Sequence, residues 1–148
     1  MSAYERYQLI NFSQEANTYD FESVGPKGKI QKSVHLYPME SENVFLLSFG
    51  NLLEDGSLDD LSTNDNRDRN KILATIVYII DQITERRPEL ILFFNGSTPA
   101  RTRLYRMAIS LNYAELSRKY MIRGFTEEGK LEVFRLQVSY ISFLIHRK

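Results

Sequence analysis

The chain has 148 residues, with 19 Lys+Arg balanced by 19 Asp+Glu, two His, and neither Cys nor Trp. That length suffices for one domain with its own core, and zero net charge excludes a surface that grips nucleic acid or anionic lipid all over. The lack of Cys excludes disulfide scaffolds, thiol catalysis and thiolate metal sites, and two isolated His exclude a His-rich metal cage.

At 43% hydrophobic and 26% charged, the composition is that of an ordered globular protein. The start, MSAYERYQLINFSQEANTY, has no basic n-region, continuous apolar segment or cleavage site. The most apolar segment, Ile72–Ile83, is roughly half the ~20 residues a bilayer span needs. The expectation is a cytoplasmic protein with no membrane partner, one domain over 1–148 with residues 1–16 as a loosely attached segment.

In chain order, Thr18–Val24 alternates as a half-buried strand, and Gly25-Pro26-Lys27-Gly28 is a turn. Lys29–Tyr37 places Ile30, Lys32, Val34 and Leu36 on one face. Val44–Phe49 is nearly all apolar, which predicts cover on both faces. These three strands read as an antiparallel meander. A polar loop, Leu53–Asn70, leads to a helix over about Asp68–Arg86, with Asn64 or Asp65 as cap and Ile72, Leu73, Ile76, Val77, Ile80 and Ile83 as its core stripe. Leu90–Phe94 predicts a central strand buried on both faces. A second helix follows over about Pro99–Arg118, its stripe Ala100, Leu104, Met107, Ala108 and Leu111 facing the sheet. Strands at Tyr120–Phe125, Leu131–Leu136 and Val138–Ile145 close the chain. Phe45, Phe49, Phe93, Phe94 and Phe143 read as core. The class is α+β, in the order βββαβαββ(β), compatible with an RNase-H-like arrangement.

One segment carries candidate chemistry: Asn95, Gly96, Ser97, Thr98, Arg101, Arg103 and Arg106. A small-residue turn at the carboxyl end of a buried strand, just before a helix, is where open sheets bind ligands and where free N–H groups attract anions. Gly96 permits close approach of backbone to a ligand, Ser97 and Thr98 bring hydroxyls, and Pro99 suits the first helical position. The three arginines are out of place at the positive end of a helix, where each costs about 0.3–1 kcal/mol unless an anion answers it. Two answers stand: a bound phosphate or carboxylate, or acids of the protein itself among Asp55, Asp59, Asp60, Asp65 and Asp68. The segment is neither a Walker A loop nor a dinucleotide fingerprint. The acidic loop does not fit calcium-loop spacing, and the central strand ends in Asn95 rather than an acid, so no metal, cofactor or catalytic residue is assigned. His35 and His146 have no partner by spacing.

Tyr19-Asp20-Phe21, Gly25-Pro26-Lys27-Gly28, Leu47-Ser48-Phe49-Gly50, Asn66-Arg67-Asp68, Leu73-Ala74-Thr75, the closing Arg147-Lys148 and above all the run Gly96–Tyr105 (GSTPARTRLY) resemble an uncharacterised family of short bacterial proteins of the Bacteroidetes type, over about residues 17–148. The resemblance implies a bacterial, cytoplasmic, single-domain protein; it implies no activity and carries over no catalytic residue.

The leading expectation is therefore a small binding module that takes an anion, most simply the phosphate of a nucleotide or nucleic acid, at the Ser97–Arg106 helix start. The alternative is a protein-interaction or accessory component of a toxin–antitoxin or mobile-element gene pair. The third is a Mg²⁺-dependent phosphodiester hydrolase built on Asp20, Glu22 and the acidic loop.

Overall fold

Alternation of apolar and polar side chains from Thr18 onward builds a long antiparallel meander in the computed structural model, which describes residues 5–13, 15, 17–61 and 65–148. A short strand β1 (Asn11–Ser13) pairs with β2 (Thr18–Gly25), which turns into β3 (Gly28–Pro38) and β4 (Val44–Leu52). A two-residue strand β5 (Leu58–Asp59) folds back on the end of β4. Helix α1 (Arg69–Arg86) carries the chain to β6 (Ile91–Phe94), which lies parallel to β4. Helices α2 (Pro99–Leu111) and α3 (Tyr113–Lys119) lead to β7 (Tyr120–Phe125), β8 (Leu131–Val133) and β9 (Ser142–Arg147). The sheet order is β1-β2-β3-β4-β6-β9-β7-β8, so the last strand inserts beside β6. The α+β class is that expected from the sequence, and the order of strands and helices fits it broadly, with the short strands β1 and β5 and the separate helix α3 added.

The helices share one face of the sheet. Ile76, Ile79, Ile80 and Ile83 of α1, Tyr105 and Ile109 of α2 and Leu116 of α3 join Phe21, Val34, Leu47, Phe49, Leu92, Phe94, Phe143 and Ile145 in a single buried cluster. The opposite face corrects the expectation that β4 and β6 are covered on both sides. Cross-strand register aligns Tyr37, Leu46, Phe93, Leu144 and Arg123 in a row across that face. Of these, Leu46, Phe93 and Leu144 are only half-buried. Phe93 is thus not core; it meets Phe125 edge-on at 6.4 Å. Continuous apolar runs signalled two-sided cover, but here they pack helices on one side and form an open apolar band on the other.

Strand β8 ends at Val133 rather than Leu136, and three further details differ from expectation, each for a local reason. The second helix breaks at Asn112, whose side-chain amide donates to Ala108 O at 3.0 Å and competes with the backbone ladder. The closing strand begins at Ser142 rather than Val138 because the preceding turn is fixed by Tyr140: its hydroxyl donates to Glu132 at 2.8 Å and accepts the Arg135 N–H at 3.0 Å. The Tyr140 ring occupies the space a Cβ would need at Gly124. At the start of α1, Asp68 is the cap position but makes no side-chain cap bond, and Asp65 accepts the N–H of Arg67 instead; the other expected cap, Asn64, lies outside the described residues. The far end of α1 is anchored where Tyr120 and Arg147 both reach Thr84, at 2.8 and 3.0 Å.

No helix of the described residues is long and apolar enough to cross a membrane.

Candidate functional site

Because β4 and β6 are parallel, the chain leaves both at the same end of the sheet, and α1 and α2 begin side by side there. Between the two helix starts opens a cleft of about 950 Å³. Its floor is Lys32 of β3 and Phe49 of β4; one wall is Asp65–Ile72, the other Ala100, Arg101, Arg103, Leu104 and Met107. Six of the lining residues are basic (Lys32, Arg67, Arg69, Lys71, Arg101 and Arg103) and two, Asp65 and Asp68, are acidic. Neither helix has an acid in its first turn, although a helix start favours one.

The deepest cations are Lys32, 4% exposed, and Arg101, 7% exposed. The Lys32 ammonium donates to Asn51 Oδ1 at 2.6 Å and lies 5.8 Å from the centroid of the Phe49 ring. The Arg101 guanidinium lies 5.2 Å from the same centroid, and its Nε donates to the carbonyl of Asp60 at 3.4 Å. Burial first, and the neighbouring Arg101 charge second, lower the Lys32 pKa to about 8, against the opposing pull of Asp68 and Asp59. Arg67, Arg69 and Arg103 are exposed at the rim.

A polar lattice holds the first wall in place. Asp68 accepts from Tyr7 Oη at 2.6 Å and from Ser23 Oγ at 2.5 Å. Asn66, 2% exposed, donates to Ser23 Oγ and to Gly28 O and accepts the N–H of Lys27, which locks the β2–β3 turn to the loop before α1. Tyr7 stacks on Phe21 at 5.8 Å, carries the Lys71 ammonium 4.4 Å from its ring centroid, and gives its backbone N–H to Thr75 Oγ1. Burial and the adjacent Asp68 carboxylate raise the Tyr7 pKa, so the phenol stays a donor.

The residues expected from the sequence divide between roles. Arg101 and Arg103 both line the cleft. Arg106 points elsewhere, to Ser139 Oγ at 3.3 Å. Ser97 donates to Asp60, and Thr98 caps α2 by accepting the N–H of Arg101 at 3.1 Å. Asn95 is exposed just beyond β6. Gly96 makes its close approach to Thr102, where a Cβ would collide with the amide nitrogen. The buried face of α2 is Arg101, Tyr105, Ala108 and Ile109; of the expected stripe Ala108 is buried, whereas Ala100, Leu104, Met107 and Leu111 are not. The helix is turned by about one position, which brings Arg101 from a flank to the inside and leaves Leu104 and Met107 facing the cleft.

Sequence reasoning missed Lys32 and the basic start of α1. Both left a signal. Lys32 stands among Ile30, Val34 and Leu36 on the apolar face of an alternating strand, and Arg67, Arg69 and Lys71 repeat the anomaly that singled out α2. The carboxylates of the hydrolase reading do not assemble. Asp20 and Glu22 lie on the sheet face opposite the cleft, where they accept from Ser33 and Gln31. Asp55, Asp60 and Asp68 are each engaged by serine hydroxyls in different places. Among the described residues no group of three or more His, Asp or Glu side chains is placed to hold one metal ion.

No curated protein and no solved structure matches the chain. Residues 3–148 do match a family described as a family of unknown function (DUF6934), and the chain belongs to that family.

Proposed function

We propose that the chain is a small binding module that takes a phosphate-bearing anion, a nucleotide or a nucleic-acid phosphate, in the cleft between α1 and α2. The observation that carries this reading is the lining itself: six basic residues against two acidic ones, around a cavity of ligand size where two helices begin. Helix N-termini supply N–H groups and positive potential, guanidinium forks suit phosphate oxygens, and apolar Leu104, Met107 and Ile72 offer a surface for the body of a ligand.

Thermal unfolding against phosphate, nucleotides and short oligonucleotides tests it. A ligand at about a hundred times its dissociation constant adds roughly 2.7 kcal/mol, a clear rise in midpoint. The rise is expected in the native chain and to be smaller in Arg67→Ala/Arg103→Ala, whose exposed side chains contribute little to the fold. No rise with any of these ligands argues against the reading.

A second reading, an accessory component acting through a protein partner, draws on the open apolar row of Leu46, Phe93 and Leu144. Co-purification with a co-transcribed neighbour tests that alternative.

A further inference from the structure

The cations of the cleft are arranged by depth. Arg67, Arg69 and Arg103 stand in solvent at the rim, whereas Lys32 and Arg101 are over nine-tenths buried and share one aromatic floor. The two sets do different work. Exposed charges act through water and screening salt and attract any anion weakly. Buried charges act through a medium of lower dielectric, where each additional ligand charge gains more. Asn51 accepts from the ammonium on one side, and both cations lie over the Phe49 ring, itself stacked on Phe21 at 6.0 Å.

Resting on the anion-site reading above, we propose that the cleft selects by charge: it takes the dianionic end group of a phosphate monoester at the Lys32–Arg101 floor, with the body of the ligand against Ile72, Leu104 and Met107. A phosphate monoester, with its second pKa near about 6, carries close to two charges at neutral pH. A diester or a sulfate ester carries one. The Arg101 fork and the Lys32 ammonium approach from different elements, α2 and β3, and so can engage different oxygens of one terminal group, which a chain-internal diester presents less fully. Among the described residues, the groups that act on Lys32 include Arg101 from α2, Asn51 from β4, Asp59 from β5 and Asp68 from the loop before α1. Its lowered pKa leaves the ammonium charged at neutral pH and dischargeable on the alkaline side, so the selection is proton-linked.

Calorimetric titration of the full chain with phenyl phosphate and phenyl sulfate tests this, because the two share a ring and nearly a size but differ in charge. The expected result is phenyl phosphate binding about tenfold tighter at neutral pH, with the preference fading at about pH 10. In Lys32→Met, phenyl phosphate affinity should fall to that of phenyl sulfate, while sulfate binding persists and reports an intact fold. Should that variant fail to fold, Asn51→Leu leaves the lysine but removes the oxygen that holds it, and is expected to shrink the same preference. Equal binding of both anions by the native chain, or an undiminished preference in the folded Lys32→Met variant, overturns charge selection while leaving the anion site standing. If neither anion binds, both the selection and the site are overturned.

Discussion

The phenol oxygen of Tyr105 accepts the backbone N–H of Phe49 at 3.0 Å, joining the second turn of α2 to the strand that floors the cleft. The same ring packs edge-on against Phe94 at 5.6 Å, so one side chain fixes α2 to both parallel strands. Burial pushes its pKa up to about 12, which keeps the hydroxyl neutral. Arg101 lies one turn before Tyr105 on α2, and its height above Phe49 is set by this link.

Tyr105→Phe is therefore expected to destabilise the protein by about 1–3 kcal/mol, because it leaves a buried strand N–H without an acceptor rather than merely removing a polar atom. Urea unfolding of the two proteins measures the difference. A cost near zero would mean that α2 is positioned by packing alone.

Gly96→Ala tests how α2 is seated from its other end. The added methyl meets backbone, not a flexible side-chain tip, so the first turn of α2 must move. The expected cost is about 1–3 kcal/mol, with weaker phosphate binding because Arg101 and Arg103 move with that turn. Denaturant unfolding and a phosphate titration read the two effects separately. Binding weakened with no loss of stability would instead point to a direct role for Gly96 in approaching the ligand.

Lys32 gives the fold a pH signature of known sign. Its folded pKa of about 8 lies below the ordinary lysine value of 10.5, so between those values the unfolded chain holds more protons than the folded one. Stability then rises as pH climbs from about 8 toward 10, and the full cost of keeping the ammonium charged and buried is present below 8. Tyr7, Tyr105 and Tyr120 have raised pKa values and act in the opposite direction above about 10. Unfolding free energy measured across this range is expected to rise in the native protein and to stay flat up to about 10 in Lys32→Met. A flat profile in both would contradict the burial of a charged lysine.

Much of the fold was readable because it rests on local periodicity. The alternation of β2 and β3 and the 3.6-residue stripe of α1 each gave an element with ends close to those observed. What failed was rotational and long-range. The α2 stripe read from the sequence lies about one position away from the true face because an arginine counts as polar and therefore outside, whereas Arg101 is buried with its guanidinium 5.2 Å from the centroid of the Phe49 ring. The apolar runs around Leu46 and Phe93 suggest cover on both faces because a strand's sequence cannot report whether a second layer exists. The helix start at Arg101 and Arg103 was found from charge misplaced against a dipole. Its opposing wall, Arg67–Lys71, is some thirty residues earlier in the chain, and only the parallel pairing of β4 with β6 brings the two together. The family match begins at residue 3 rather than near residue 17, and Tyr7, within the segment expected to be loose, is buried against Phe21 and bonded to Asp68.

The most direct measurement is an amide NMR titration of the full chain with inorganic phosphate. If the cleft is the anion site, shift changes concentrate in residues 65–72 and 100–107, with Lys32 and Phe49 between them, and saturate together. Changes confined to other parts of the chain, or none at concentrations well above those that perturb any exposed lysine, would contradict the central claim.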